Sequence, residues 1–251
     1  MRFGGDDFAP GPMPALTGGP AKMGIWQLVT HLGSAGLIVP MLLLLALGLW
    51  RSGQGRAMGV WLSWVVVASV FVLGSKIAFL GWGLGIASLD FTGASGHVAL
   101  AAIVLPAWLG CLMAGGGSRI SLVGILIGLL VAALVCWSRV ALGAHSLSES
   151  IAGWLVGAGT SAIAFKVMNG RAPASWPTKA AGIILFLAFN ETTSNYMPTH
   201  DWETRLALAL SGQARPHRRE ELHRKMVEGQ KPDRAVVLYH SGGSDTLHRR
   251  L

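Results

Sequence analysis

Five long stretches of this sequence are almost free of charge, and that leaves few folds open to the chain. They run over about residues 25–50, 57–80, 97–114, 120–137 and 149–168. A bilayer core about 30 Å thick takes roughly 20 apolar residues as a helix, and a helix satisfies its own backbone hydrogen bonds where no water can. Only 13% of the residues are charged, against about 25% in a soluble domain, too few to cover a soluble core containing all five stretches. The expected fold is all-α, a polytopic transmembrane helical bundle with five spans. A sixth apolar segment, Ala180 to Phe189, is short; its length suits a span, a re-entrant segment or an interfacial helix.

Basic residues orient these spans, because Lys and Arg collect in cytoplasmic connections. Arg51 and Arg56, then Arg119, then Lys166, Arg171 and Lys179 fall in alternate connections. The links over 81–96 and 138–148 therefore face the other side. Loop charge alone thus brings Lys76, at the end of the second span, to the same face as His97, Arg139 and His145. His31 and Pro40 interrupt the first span; His31 reads as a helix-packing polar residue. The ten tryptophans are expected mostly at the interfaces.

Three regions follow. Residues 1–24, rich in Gly and Pro, form a disordered N-terminal tail. Residues 25–190 form the transmembrane domain, and residues 191–251 a basic C-terminal tail. Within that tail, Trp202, Leu206, Ala209 and Leu210 recur at helical spacing, which suggests an interfacial amphipathic helix. The pairs Glu220–Arg224 and Glu221–Lys225 suggest a charged helix after it. The net charge of +8 lies largely here, since half of the 20 Lys and Arg residues follow residue 204. That placement points to anionic lipid rather than nucleic acid and puts the tail on the cytoplasmic side. A true sixth span would carry it outside instead.

The polar residues gathered at the outer face suit phosphate chemistry, in which catalysis is mostly positioning and electrostatics. Arg139 offers a planar fork for two phosphate oxygens, and Lys76 a second cation. Ser95 and the N–H groups of Gly96 and His97 lie where a helix N-terminus binds an anion. His145 can attack phosphorus if a carboxylate holds its other nitrogen, and Glu149 follows four residues later. His97 can protonate the departing oxygen. Each residue also has a plainer reading: Lys76 as a snorkelling lysine, Ser146-Leu147-Ser148-Glu149 as a capping box, and Gly93 to Gly96 as a turn. No metal is expected, because His97 and His145 lack a clustered third ligand, and no cofactor is expected.

Ala94-Ser95-Gly96-His97, followed by Ser138-Arg139, His145 and Glu149, resembles the second and third motifs of the type 2 phosphatidic acid phosphatase superfamily, which includes membrane lipid phosphatases and vanadium haloperoxidases. The family has proline where Ala94 stands and aspartate where Glu149 stands. Lys76 fits the first motif, but Gly83-Leu84 replace its Arg-Pro, and no arginine near Gly83 in the sequence compensates. The resemblance implies a phosphohistidine formed on His145, a general acid at His97, and a phosphate site of Lys76, Ser95, Gly96 and Arg139. Glu149 would orient His145. It also implies a lipid phosphate monoester or diphosphate as substrate, and a bacterial cytoplasmic membrane with the site facing the periplasm. The alternative is a non-catalytic protein of the same fold that binds or transports lipid phosphate. The sequence does not indicate an oligomeric state.

Overall fold

The structure, a computed structural model, describes residues 20–114, 118–168, 180, 182–183 and 199–229. The helices are α1 (Pro20–His31), α2 (Ala35–Arg51), α3 (Gly55–Trp82), α4 (Gly96–Met113), α5 (Ser118–Ala141), α6 (Leu147–Met168), α7 (Thr199–Ser211) and α8 (Arg219–Gly229). Among the described residues the only β pairing is one isolated bridge, Ile86 with Phe91, in the link between α3 and α4. Among the described residues five helical stretches are long and apolar enough to cross a membrane: Gly24–Arg51, Gly55–Trp82, Gly96–Met113, Arg119–Ala141 and Leu147–Val167. The protein is an integral membrane protein with an all-α bundle.

The expected disordered tail of residues 1–24 lies outside the described residues up to residue 19. From Pro20 onward the chain is already helical. Proline suits a first helical turn, where the missing N–H would have no partner. The first span is broken at Leu32–Ser34 rather than at Pro40, which sits inside α2. The break has a packing cause: a Cβ on Gly33 would stand 2.9 Å from both the His97 carbonyl oxygen and Val135 Cγ1. There the chain passes directly over the start of α4.

Helix α4 is the axis of the bundle. Most of it from Val98 to Cys111 is buried, against Leu37, Ile38, Met41, Leu45 and Leu49 of α2 and Trp61 of α3. Trp61 and Trp108, at 0% and 4% exposure, are core residues and not interfacial anchors. On its other sides α4 meets two glycine pairs at four-residue spacing. A Cβ at Gly124 or Gly128 of α5 would fall 2.4 Å from backbone atoms of Leu109 or Pro106. At Gly153 or Gly157 of α6 it would fall 2.5 Å from the carbonyl oxygens of Ser95 or Ala99. In lipid there is little hydrophobic drive between helices, so such close backbone approach supplies much of the association. Outward-facing side chains such as Val66, Val70, Phe71, Leu126 and Leu130 are exposed, as a lipid-facing surface requires.

The spans alternate in direction, so one end of the bundle collects the end of α3, the start of α4, the end of α5 and the start of α6. Helices α7 and α8 lie at this same end. The Lys76 ammonium donates to Glu203 of α7, and the His217 N–H donates to the Leu80 carbonyl at 2.9 Å. Sequence charge placed the tail and the site residues on opposite faces; the structure instead holds both at one end, through specific ion pairs of Glu203 and Arg219. Met168 and Thr199 lie at opposite ends of the bundle. Of the marginal segment Ala180 to Phe189, only Ala180, Gly182 and Ile183 are described, with Gly182 against the Trp108 indole; the rest lies outside the described residues.

Candidate active site

The link before α6 forms a capping box, and the same carboxylate serves a second purpose. Ser146 Oγ accepts from the Glu149 N–H at 3.3 Å, and Glu149 Oε2 accepts from the Ser146 N–H at 3.1 Å. Glu149 Oε2 also meets His145 Nδ1 at 2.9 Å. An ionised carboxylate only accepts, so Nδ1 carries a proton, and in the neutral ring Nε2 keeps its lone pair. Glu149 is 1% exposed. Its other oxygen, Oε1, accepts from the Thr92 N–H at 2.9 Å and from the Thr92 hydroxyl. Every oxygen of this buried carboxylate is therefore engaged, which fixes the imidazole plane. Burial holds the His145 pKa below the ordinary histidine value, as do the charges of Arg139 and Lys76, against the opposing pull of the Glu149 hydrogen bond and charge.

Across from this pair, Ser95 stands at the N-cap position of α4. The Ser95 N–H donates to the Glu149 carbonyl at 3.0 Å, which locks the starts of α4 and α6 together. His97, in the first turn of α4, is within electrostatic reach of Arg139, His145, Lys76 and also His31. His31, read from sequence as a packing residue, ends α1 beside this cluster. Arg139, in the last turn of α5, donates from Nη1 to Thr30 Oγ1 at 3.2 Å. Its Nε and the hydroxyl of Ser95 are buried with no hydrogen-bond partner among the described residues. Unpaired buried donors are costly, and two in one cationic cluster suit an anionic ligand with several oxygens.

Lys76 reaches the cluster from α3, with Gly93 directly above it. Gly93 has φ 150°, and a Cβ there would lie 2.8 Å from Lys76 Cγ. The Ala94 N–H donates to Ser75 Oγ at 3.0 Å and continues the same seam. The Lys76 ammonium is held by both carboxylate oxygens of Glu203, at 3.1 and 3.2 Å. At Gly83, where the family's first motif has arginine, α3 ends in a left-handed cap with φ 68°. A Cβ at Gly83 would lie 3.2 Å from the His217 ring. Space next to the cap is thus taken by the C-terminal segment.

The structure gathers Lys76, Ser95, Gly96, His97, Arg139, His145 and Glu149 at one end of the bundle. Sequence reasoning missed Thr92, Glu203 and Arg219, whose Nη2 donates to Glu149 Oε1 at 2.7 Å. Nothing in local spacing signals them, because each acts on a residue far away along the chain. Among the described residues no group of His, Cys, Asp and Glu side chains is arranged to hold a metal ion.

Comparison with known proteins agrees with this arrangement. The PAP2 superfamily model matches residues 83–173, a region holding His97, Arg139, His145 and Glu149 but stopping short of Lys76. A Klebsiella pneumoniae protein named "Uncharacterized 22.5 kDa protein in cps region" is 34% identical over 207 residues, 80% of this chain and 98% of that protein. No solved structure matches the chain. With its helical bundle and with both histidine motifs brought to one face, this chain belongs to the PAP2 superfamily, a membership that supports a phosphatase-type activity.

Proposed function

We propose that the protein is a lipid phosphatase that hydrolyses a lipid phosphate monoester or diphosphate through a phosphohistidine, at the periplasmic face of a bacterial cytoplasmic membrane. The observation that carries this reading is the His145–Glu149 pair, whose geometry leaves Nε2 as a nucleophile. In the first step His145 Nε2 attacks the terminal phosphorus, its bond to the leaving oxygen (of the lipid alcohol, or of the lipid monophosphate when the substrate is a diphosphate) breaks, and His97 gives that oxygen a proton. In the second, water attacks the phosphohistidine, His97 takes a proton from it, and the P–N bond breaks to release inorganic phosphate. Arg139, Ser95, Lys76 and the first N–H groups of α4 at Gly96 and His97 hold the non-bridging oxygens, where charge builds in the transition state.

A lipid substrate is favoured by the rim. Trp82, Leu84, Ile86, Leu89 and Leu147 are all about half exposed or more beside the site. An apolar rim suits acyl chains that stay in the bilayer while the phosphate enters the polar cluster. Phosphatidic acid, phosphatidylglycerophosphate and polyprenyl diphosphate all fit this description. The test is to mix the detergent-solubilised protein with lipid labelled at the phosphate and quench in alkali, where phosphohistidine survives. Label on a peptide containing His145 is expected. Release of phosphate without label on any histidine would defeat the mechanism.

The Glu203–Lys76 pair and the Gly83-Leu84 departure favour a second reading, a protein that binds lipid phosphate without turnover. It predicts tight lipid binding with neither label nor phosphate release. Under the enzymatic reading, substrate phosphate competes with Glu203 for Lys76. Glu203→Gln is then expected to lower KM about fivefold with little change in kcat, the scale of one partly exposed ion pair.

The pH dependence follows from His145. Its neutral form is the nucleophile, and its pKa lies below the ordinary value of about 6.5, so the neutral form persists into mild acid. The acid limb of kcat/KM, which reports groups of the free enzyme, is expected below pH of about 6.5. A limb above that value would contradict the assignment.

A further inference from the structure

The C-terminal helices reach into the site, and Arg219 at the start of α8 carries the closest contact. Its Nη2 donates to Glu149 Oε1 at 2.7 Å and to Thr92 Oγ1 at 3.2 Å. Its Nη1 donates to Asp90 Oδ2 at 2.8 Å, and Asp90 Oδ1 meets His223 Nε2 of the same helix at 2.7 Å. Asp90 holds a left-handed backbone, φ 50°, at the end of the short turn over Ala87–Leu89. One guanidinium thus joins the α3–α4 link to the carboxylate at the start of α6. Both α7 and α8 lie outside the region matched to the family.

We propose that Arg219 is a positioning residue for the reaction, fixing the Glu149 carboxylate and through it the His145 imidazole. The inference rests on the catalytic reading of His145 given above. Its physical basis is a division of labour between the two oxygens of Glu149. Oε2 holds His145 and the Ser146 N–H, while Oε1 is held by Thr92 and Arg219. A carboxylate restrained at one oxygen alone can swing about its side-chain torsions, and the imidazole turns with it. Arg219 is cationic at any working pH, and planar two-nitrogen pairing gives it directional control that a lysine lacks. The space beside Gly83 admits His217, two residues before Arg219, and so lets the C-terminal segment bring a guanidinium to the other side of the nucleophile.

The test uses the full-length protein in detergent micelles with dioleoyl phosphatidic acid as probe, comparing the parent with R219A, R219K, D90N and H145A. R219A is expected to lower kcat about ten- to a hundredfold, the scale of one hydrogen bond to a charged group. KM should stay within about threefold, because the phosphate ligands are untouched. R219K should recover only part of the loss, and added guanidinium ion should partly restore R219A but not D90N. D90N loosens α8 while keeping the Arg219 guanidinium, so it separates docking from positioning. If R219A and D90N lose kcat equally and neither responds to guanidinium, Arg219 is only a strap and the proposal fails. If H145A is inactive while R219A turns over like the parent, the proposal fails and the catalytic reading stands. If H145A releases phosphate as fast as the parent, the catalytic reading fails and takes this inference with it.

Discussion

His145→Ala is expected to lower phosphate release from a lipid phosphate by at least about 10⁴-fold while leaving the protein folded. The magnitude follows from what is removed. A nucleophile that forms a covalent intermediate cannot be replaced by the groups around it, and loss of such a residue typically leaves only the contribution of binding and charge stabilisation. Arg139, Ser95 and Lys76 would remain, so substrate should still bind with a KM close to that of the parent. The fold should survive because His145 lies in the link between α5 and α6, where Ser146, not His145, caps α6. Phosphate release and thermal unfolding, measured on the same detergent preparation, check both halves. An H145A protein that is fully folded and fully active would remove the nucleophile from the mechanism.

Most of that site was legible because two kinds of local signal converged on it. Alternating charge in the connections brought Lys76, His97, Arg139 and His145 to one face, and Glu149 stands three residues after Ser146, as a capping box needs, and four after His145, within reach of its ring. The structure satisfies both with one carboxylate, using Oε2 for the ring and the cap alike. The sequence was silent where the determining contact is remote. Lys76 and Glu203 are 127 residues apart, and Arg219 and Asp90 are 129 apart. No periodicity or propensity couples positions at that distance; only the folded chain does.

The C-terminal tail shows how far composition reaches there. Its basic excess points toward the cytoplasmic leaflet, yet long terminal segments follow the charge rule poorly. Glu203, Arg219 and His223 each pair with a residue at the site end, specific contacts that summed charge does not encode. Arg119 remains at the far end, at the start of α5, so the second guanidinium to reach the site comes from a part of the chain where motif spacing could not reveal it. The break at Leu32–Ser34 has a similar origin. Pro40 looks like the interruption, but a helix between other helices absorbs a proline, whereas Gly33 is pressed against the His97 carbonyl.

The second large effect is expected on the shared backbone contact between α4 and α6. Gly153 lies one turn after Glu149, and a Cβ there would sit 2.5 Å from the Ser95 carbonyl oxygen and 3.4 Å from the Ala99 nitrogen. Neither atom belongs to a flexible side chain, so a leucine can be accommodated only by driving the two helices apart. Overpacking of this kind costs about 1–3 kcal/mol or more. The functional cost is larger, because α4 carries Ser95 and His97 while α6 carries Glu149. A shift of about 1 Å between groups that must act on one phosphorus atom can cost about a hundredfold in rate. Gly153→Leu is therefore expected to lower both the unfolding temperature and kcat, the latter by at least about a hundredfold. Gly159, on the same helix but exposed and with open space for 4 Å around the position a Cβ would take, supplies the control. Gly159→Leu adds the same volume on the lipid-facing side and should leave turnover at the parental level. Parental stability and activity in Gly153→Leu would mean that this helix contact does not set the geometry of the site.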